Sequence, residues 1–223
     1  MDPNSLAVIW DVDGTLVDTA ELHFEAWQRL ADELGKPFSR AEFAATFGQR
    51  NPEIIPRVFG ESREARVAEL GDRKEELYRA AARKGVALLP GVMDLLARLK
   101  AAGFRQAVGS SAPRQNLDLI FELTGIAGCF AAVVSQEDTS KGKPDPEVFL
   151  LAAQKLDVPP PHCLVVEDAV AGVQAAKAVG MKCIAVRFAG HHPADRLQAA
   201  GADLVVESLE RVTVETVRGI LVK

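Results

Sequence analysis

The sequence predicts an α/β fold: a Rossmann-like, doubly wound parallel sheet with an all-α helical cap domain inserted near its start. From residue 89 onward, short apolar runs alternate with helical patterns of roughly ten residues, which is typical of βαβ units. Between residues 18 and 88, in contrast, helical patterns occur but no segment has the features of a strand. Right-handed crossovers would place helices on both faces of the sheet.

Two aspartates follow the first predicted strand. Residues 6–10 are all apolar without polar alternation, which is typical of a strand buried on both faces, and Gly14 then allows a sharp turn. Positions i and i+2 of a strand point to the same side, so Asp11 and Asp13 are expected to face one site. Clustered carboxylates need a cation, a shared proton or water, and Mg²⁺ prefers oxygen ligands. Alternatively, both residues only cap a turn and the next helix.

The inserted segment begins with Asp18-Thr19-Ala20-Glu21, a capping-box pattern that predicts a helix ending at Gly35. Shorter helical patterns follow, and we expect glycines and prolines to separate them: Gly48, Pro52, Pro56, Gly60 and Gly71. The predicted boundaries are residues 1–17 and 88–223 for the α/β core and residues 18–87 for the helical cap.

Polar residues follow the later strands as well. The predicted strands are residues 104–109, 131–135, 163–166, 183–186 and 204–206. Ser110 follows the first of them, Glu167 and Asp168 follow the third, and Lys143 lies in a loop before a helix. Because parallel strands end at one edge of a sheet, we expect these side chains to meet the two aspartates of the first strand.

Carboxylates, a hydroxyl and a lysine at one edge form a set suited to phosphoryl transfer. A carboxylate can attack phosphorus to form an aspartyl-phosphate, while a metal ion neutralises charge between the two. Lysine and serine can hold the phosphoryl oxygens. Each residue also has a structural alternative, because Ser110 could simply end a strand, Lys143 could be solvated, and Asp168 could cap the helix that begins near residue 170.

Composition narrows the classes of function. The 223-residue chain carries a net charge of −5, which argues against nucleic-acid binding but permits a small anionic substrate. No apolar run approaches the roughly 20 residues of a membrane helix, and residues 1–5 lack signal-peptide features. Cys129, Cys163 and Cys183 are widely spaced, so we expect reduced cysteines in a cytoplasmic protein. No dimer element stands out, so we expect a monomer, and we expect His191-His192 in a surface loop.

Four motifs occur in order over nearly the whole chain. They are Asp-x-Asp-Gly-Thr at 11–15, an apolar strand ending in Ser110, Lys-Pro-x-Pro at 143–146, and Val-Val-Glu-Asp at 165–168 with Ala-Gly soon after. In this order they resemble the haloacid dehalogenase-like (HAD) hydrolase superfamily, in its β-phosphoglucomutase-like and sugar phosphatase branch with a helical cap. The resemblance implies an enzyme that uses Mg²⁺ and an aspartyl-phosphate intermediate.

The resemblance also implies roles for single residues. The implied catalytic residues are the nucleophile Asp11, the general acid/base Asp13, the hydroxyl of Ser110 and the amine of Lys143. The implied metal ligands are the Asp11 side chain, the Asp13 main-chain carbonyl and Asp168, with Glu167 binding through water or orienting that shell. Dehalogenases of the family lack the second aspartate, so Asp13 favours phosphate esters over carbon–halogen bonds as substrates.

The cap resembles the lid of this family, with predicted hinges at residues 16–19 and 87–91. Residues 18–27 are similar to β-phosphoglucomutase, in which the matching histidine lies beside the general acid/base, so His23 could couple closure of the lid to Asp13. Its alternative is a partly buried helix histidine. Arg50 resembles an arginine of that mutase that binds the distal phosphate of a bisphosphate, and Arg50 could do the same or contact one polar group of a sugar. Its structural alternative is an exposed residue before a helix.

The segment after the second core strand supplies three further candidates for substrate binding, namely Ser111, Arg114 and Asn116. The mutase pattern has a basic residue followed directly by asparagine at this point, whereas Arg114 and Asn116 are separated here. The sequence around Lys143-Pro144 also looks more like that of the related sugar phosphatases. Both departures favour hydrolysis over the mutase reaction.

The expected function is therefore a Mg²⁺-dependent phosphatase of sugar or polyol phosphates. One alternative is β-phosphoglucomutase, in which a sugar phosphate hydroxyl instead of water attacks the aspartyl-phosphate. A remote alternative is a non-enzymatic phospho-acceptor switch, which also uses an aspartate at a strand end with Mg²⁺, Ser/Thr and Lys. The expected partner is a small phosphate ester, with neither nucleic acid nor membrane.

Overall fold

The computed structural model describes residues 5–46, 48–187 and 192–222. The predicted ends at residues 1 and 223 and the predicted loop residue His191 lie outside the described residues. Within these residues, six strands form the sheet, namely β1 Ala7–Trp10, β2 Arg105–Gly109, β3 Ala132–Val134, β4 Cys163–Glu167, β5 Lys182–Val186 and β6 Leu204–Val206. All neighbours pair in parallel in the order β3-β2-β1-β4-β5-β6. The α/β prediction is confirmed, and the strand order reverses between β1 and β4, where such sheets bind ligands.

Helices cover both faces of this sheet. The helices of the core are α5 Val92–Ala101, α6 Arg114–Thr124, α7 Glu147–Leu156, α8 Val170–Ala178, α9 Ala194–Ala199 and α10 Val214–Leu221. Val8 and Trp10 of β1 belong to one buried cluster with α5, α6 and α10. Ala7 and Ile9 belong to a second cluster with α7, α8 and α9. The first strand is apolar at every position because both of its faces are buried.

In the part of the chain that the structure describes, four helices precede the core helices and form a layer with its own apolar core. They are α1 Ala20–Glu33, α2 Arg40–Thr46, α3 Asn51–Phe59 and α4 Glu64–Ala82, and we call them the cap. Phe24 and Trp27 of α1 share this apolar core with Phe43 of α2 and Ile55 of α3. None of the described helices combines the length and hydrophobicity that crossing a bilayer requires.

Two residues expected to separate helices instead lie inside them. Pro56 lies within α3, and Gly71 lies in the middle of α4. The absence of a side chain at Gly71 lets α3 approach α4 closely, because a Cβ added there would lie 3.4 Å from the Cβ of Asn51. Gly71 therefore serves helix packing, which local propensity cannot indicate.

The two connections between the cap and the core run side by side. The amide of Leu89 donates to the carbonyl of Leu16 at 2.9 Å, and Val17 and Leu88 form an antiparallel bridge. The turn before them is closed by hydrogen bonds from the amides of residues 15–17 to the carbonyl of Val12. These paired segments coincide with the hinges that the sequence predicts.

Candidate active site

An ion-paired lysine lies at the carboxyl ends of the central strands. Lys143 Nζ donates to Asp11 Oδ1 at 2.6 Å and to Glu167 Oε1 at 2.7 Å, and all three side chains are buried. The two carboxylates follow β1 and end β4, the neighbouring strands at the reversal point. Burial opposes the charge of Lys143, but the two carboxylates outweigh it and raise its pKa, so the lysine is cationic.

Asp11, Glu167 and Asp168 form a group that could hold a metal ion, with ligand oxygens within 4.8 Å of one another. Asp168 Oδ2 is buried without a hydrogen-bond partner. Burial and the charges of Glu167 and Asp11 raise the pKa of Asp168 well above its usual range. Three crowded carboxylates and an orphaned oxygen fit a hard divalent cation, which would satisfy the oxygen and lower these pKa values.

Two glycines make room for these carboxylates. A Cβ added to Gly14, which has a φ of +84°, would lie 2.2 Å from Asp168 Oδ2. A Cβ added to Gly172 would lie 1.8 Å from Glu167 Oε1. Glu167 is also held by its own strand end, because Oε2 accepts from the amides of Asp168 at 2.7 Å and Ala169 at 2.6 Å.

Asp13 is held by a chain of side chains that reaches into the cap. Asp13 Oδ1 accepts from Thr19 Oγ1 at 2.5 Å and lies 3.2 Å from His23 Nε2. Lys74 Nζ of α4 lies 2.8 Å from His23 Nδ1. Since an ammonium group only donates, His23 Nδ1 must accept, and Nε2–H then donates to Asp13. The ring of His23 stacks on Tyr78 at a centroid distance of 4.0 Å, which fixes its orientation.

This environment favours the ionised form of Asp13. Burial acts to raise its pKa, but the nearby His23, Thr19 and Lys74 outweigh burial and lower it. An ionised Asp13 can accept a proton from a water molecule. Thr19 is the N-cap of α1, yet its hydroxyl serves Asp13 and makes no capping hydrogen bond, so the capping-box pattern marks the helix start without forming the box.

Two serines line the same cavity between cap and core. Ser110 is buried at the end of β2, where its amide donates to the carbonyl of Val134 at 3.0 Å. Its hydroxyl oxygen accepts from the amide of Ala112 at 3.0 Å. The hydroxyl hydrogen of Ser110 thus remains available to a phosphoryl oxygen in the cavity, and Ser111 lies beside it.

Arg50 of the cap contacts the core loop that contains Lys143. One terminal nitrogen donates to the carbonyl of Thr139 at 3.3 Å, and the other donates to the hydroxyl of Thr139 and to the carbonyl of Lys141 at 2.7 Å. The Nε atom is buried without a partner. Arg50 is 9% exposed, so the structure does not support the alternative of an exposed side chain.

Glu75 and Asn116 form a second contact between cap and core. Asn116 Nδ2 of α6 donates to Glu75 Oε2 of α4 at 2.7 Å, and Arg79 Nη1 donates to Asn116 Oδ1 at 3.0 Å. Arg114 lies outside this group. Its guanidinium is exposed and paired with Asp118 at 2.8 Å one turn along α6, and it does not line the cavity.

Comparisons with known proteins agree with this arrangement. A sequence model of the haloacid dehalogenase-like hydrolase family matches residues 6–180. The chain belongs to this family. It is 36% identical to beta-phosphoglucomutase of Bacillus subtilis over 217 residues, which cover 94% of this chain and 92% of that protein. It is 32% identical over 212 residues to the phosphorylated carbohydrates phosphatase of Thermotoga maritima, covering 93% and 97% of the two chains.

A solved structure of a HAD-family relative has the same fold. The crystal structure of beta-phosphoglucomutase from Clostridium difficile superimposes with a TM-score of 0.87 at 27% sequence identity, covering 97% of each chain. The family assignment that the four motifs predict is therefore confirmed. This chain is an enzyme of the HAD-like hydrolase family, and its relatives include both a phosphatase and a phosphomutase.

The sequence analysis did not predict several residues that contact the site residues, namely Thr19, Asn51, Lys74, Glu75 and Thr139. Lys74 could have been found from periodicity. It lies on the buried face of α4, four residues after Leu70 and four before Tyr78. A lysine on the apolar face of a helix needs a buried partner, which is a signal of a functional site.

Gly172→Ala is expected to reduce activity and to lower stability, because the new methyl group must displace Glu167 from Lys143. Losing such an orienting contact typically lowers activity about 10- to 100-fold. Gly219→Ala is the matched control, since it lies in α10 with nothing within 4 Å of the added Cβ. That variant should keep wild-type activity and gain up to about 1 kcal/mol. Equal turnover in the two variants would contradict the role of Glu167.

Proposed function

We propose that this enzyme is a Mg²⁺-dependent phosphatase of small phosphorylated metabolites, with sugar or polyol monophosphates as its substrates. The main supporting observation is the convergence of Asp11, Asp13, Lys143 and Asp168 on one cavity between cap and core. Lys143 provides one fixed positive charge beside the proposed nucleophile, and Asp13 lies two residues along the chain from that nucleophile. We propose that the cap covers this site during turnover and excludes bulk water.

In the first half of the proposed reaction, an oxygen of Asp11 attacks the phosphorus of the ester. The bond between phosphorus and the sugar oxygen breaks, and Asp13 gives a proton to that oxygen as the alcohol leaves. This step uses the protonated form of Asp13, which is the minor form in the free site. Lys143 and the hydroxyl of Ser110 hold the phosphoryl oxygens and offset their charge as the bond breaks. The products of this half are the free alcohol, an aspartyl-phosphate at Asp11 and ionised Asp13.

In the second half, Asp13 takes a proton from a water molecule, and the oxygen of that water attacks phosphorus. The bond to Asp11 breaks, which releases inorganic phosphate and restores the Asp11 carboxylate and protonated Asp13. Thr19 and His23 hold the Asp13 carboxylate in place for both proton transfers. The contact between Lys74 and His23 links this position of Asp13 to α4 of the cap.

Asp11 and Asp168 would hold the Mg²⁺ ion, with the Asp13 carbonyl, and Glu167 would orient this group through its contacts with Lys143 and the backbone. A bound Mg²⁺ would neutralise charge between the nucleophile and the phosphoryl group. The orphaned oxygen of Asp168 and the space left by Gly14 support this placement.

The phosphomutase reaction is the second candidate, and the link from Asp13 through His23 to Lys74 is compatible with it. A mutase must also hold a second phosphate at the far end of its substrate. In the loop after β2, Ala112 and Pro113 line the cavity without a polar side chain, and Arg114 points away from it. Both terminal nitrogens of Arg50 already donate to the core loop. These observations favour hydrolysis.

The first experiment is to measure phosphate release with Mg²⁺ over a panel of sugar and polyol phosphates, with and without a chelator. We expect free phosphate from one or more monoesters and its loss when the chelator removes Mg²⁺. β-Glucose 1-phosphate is run with and without a bisphosphate activator, and glucose 6-phosphate is scored separately. Glucose 6-phosphate appearing faster than free phosphate would replace this proposal with the mutase reaction.

The cysteines support a reducing location for this enzyme. Cys129, Cys163 and Cys183 are all free, and burial raises the pKa of Cys163 to about 12. A buried thiol of such a high pKa is unreactive and serves packing. We therefore propose a cytoplasmic location.

A further inference from the structure

Glu75 is a buried carboxylate that lines the cavity at the end formed by the cap. Its Oε1 accepts from Asn51 Nδ2 at 2.8 Å and from Lys74 Nζ at 2.9 Å, and its Oε2 accepts from Asn116 Nδ2 at 2.7 Å. These donors come from α3, α4 and α6, so helices of both cap and core fix the position of the carboxylate.

The hydrogen-bonding environment keeps Glu75 negatively charged. Burial opposes ionisation, but the charge of Lys74 and the hydrogen bonds from Lys74 and Asn116 outweigh it and lower the pKa of Glu75 to about 2. Because Glu75 is buried and offsets the charge of Lys74, a second anion placed beside it would meet a carboxylate, and burial strengthens that unfavourable interaction by lowering the effective dielectric constant.

Both lysines that line the described part of the cavity are paired with carboxylates. Lys143 pairs with Asp11 and Glu167, and Lys74 pairs with Glu75. The terminal nitrogens of Arg50 donate to the core loop. A phosphate at the catalytic end has Lys143 beside it, but a second phosphate at the cap end would meet Glu75 without an unpaired lysine.

We propose that Glu75 is a specificity-determining residue that excludes substrates carrying a second anionic group at the cap end of the cavity. This inference rests on the proposed phosphatase function and restricts its substrates to monophosphates whose remainder is neutral. Lys74 contacts His23, and its charge is offset by Glu75. In this arrangement Lys74 is therefore not available to bind a second phosphate. The enzyme would thus discriminate between monophosphates and bisphosphates through the repulsion that Glu75 exerts on the second phosphate.

The test compares Glu75→Gln with wild type on matched pairs of substrates. The pairs are fructose 1-phosphate with fructose 1,6-bisphosphate and glucose 6-phosphate with glucose 1,6-bisphosphate, and the readout is the ratio of kcat/KM for bisphosphate over monophosphate. The Oε1 atom of glutamine can still accept from Asn51 and Lys74, but its Nε2 atom cannot accept from Asn116, and Lys74 loses its counter-charge. We expect this ratio to rise about tenfold or more in Glu75→Gln, because like-charge repulsion is replaced by attraction.

Two controls separate charge from damage to the structure. Glu75→Asp keeps the negative charge and should keep the wild-type ratio, even if its overall rate falls. Glu76→Gln removes a charge from the next position of α4, where the side chain is exposed and paired with Arg73 on the surface, and should leave both rates unchanged. Circular dichroism of each variant checks that it folds. A ratio that is unchanged in folded Glu75→Gln, or that rises equally in Glu75→Asp, would overturn the inference.

Failure of the proposed function can be told apart from failure of this inference. If wild type hydrolyses none of the four esters, the phosphatase proposal fails for these sugars, and calorimetry with Mg²⁺ then measures dissociation constants without interference from turnover. The inference still requires wild type to bind each monophosphate more tightly than its bisphosphate, and Glu75→Gln to reduce or reverse that preference. Equal preferences in both proteins would contradict it.

Discussion

Asp11→Asn is expected to lower the rate of ester hydrolysis by about 10⁴-fold or more, as is typical when a covalent nucleophile is removed. An amide oxygen can still accept the hydrogen bond from Lys143, which also keeps its contact with Glu167, so the geometry of the site should persist. Phosphate release with Mg²⁺ under saturating ester is the measurement. Asp18→Asn is the matched control, because this neighbouring aspartate is exposed and should retain wild-type rates.

The stability of Asp11→Asn gives an independent check. Burial and the charges of Glu167 and Asp13 raise the pKa of Asp11 to about 7, against the lowering effect of Lys143. A carboxyl group whose pKa is raised by folding destabilises the folded state once the pH exceeds its unfolded pKa of about 3.9. Asparagine removes this penalty. At neutral pH, metal-free Asp11→Asn should therefore unfold at the same temperature as metal-free wild type or at a higher one. Full residual activity in this variant would contradict the assignment of Asp11 as the nucleophile.

Asp13→Asn is expected to lower the rate of free phosphate release by about 10²- to 10⁴-fold, the usual range for loss of a general acid/base. Asparagine Oδ1 can accept from Thr19 and His23 as the carboxylate does, so the variant should fold. Asparagine cannot take a proton from water, so the aspartyl-phosphate at Asp11 should accumulate once it has formed.

A substrate with a good leaving group, such as a nitrophenyl phosphate, isolates this second step because its alcohol needs no proton. With Asp13→Asn we expect a burst of alcohol equal to the enzyme concentration, followed by slow release of phosphate. Asp18→Asn should show no such burst beyond that of wild type. Wild-type rates of phosphate release from sugar esters in Asp13→Asn would remove the acid/base role of Asp13.

The fold of the α/β core was predictable because the residue pattern of each strand agrees with where that strand must lie in the sheet. Apolar runs such as that of β1 can only be buried between two layers of helices, and parallel strands bring their carboxyl ends together. For the same reason, the sequence places Asp11, Ser110 and Glu167 at one edge of the sheet, although they are separated by many residues in the chain. For Lys143 the topology predicts only the edge of the sheet, and its role in the site could be inferred only through the resemblance to the family, since the side chains of loops follow no such rule.

The cap was predicted as helical, but its contributions to the site were not all visible. His23 lies beside Asp13, as the resemblance implies. The local pattern predicted that Thr19 takes part in capping a helix, but its hydroxyl donates to Asp13 instead. Local propensity cannot show that a side chain has a partner distant in space. The Lys74–Glu75 pair resembles ordinary surface charge in sequence and is distinguished only by its position on the buried face of α4.

The loop after β2 shows the limit of reasoning by residue type. Arg114 and Asn116 are both polar candidates, yet they point in different directions because they are two positions apart on α6. Asn116 turns inward to Glu75, and Arg114 pairs with Asp118 at the surface. A count of polar residues near a motif therefore overestimates the binding site when the segment is helical.

The most direct test of the proposed aspartyl-phosphate mechanism is to detect the phosphoryl group on the enzyme during turnover. Wild-type protein is mixed with Mg²⁺ and the best ester of the panel, quenched in acid within the first turnovers, and mapped by peptide mass spectrometry. The proposed mechanism predicts a phosphoryl group on the peptide that contains Asp11, absent when a chelator is added and absent in Asp11→Asn. Steady hydrolysis without any phosphorylated peptide, or a phosphoryl group on a different residue, would contradict it.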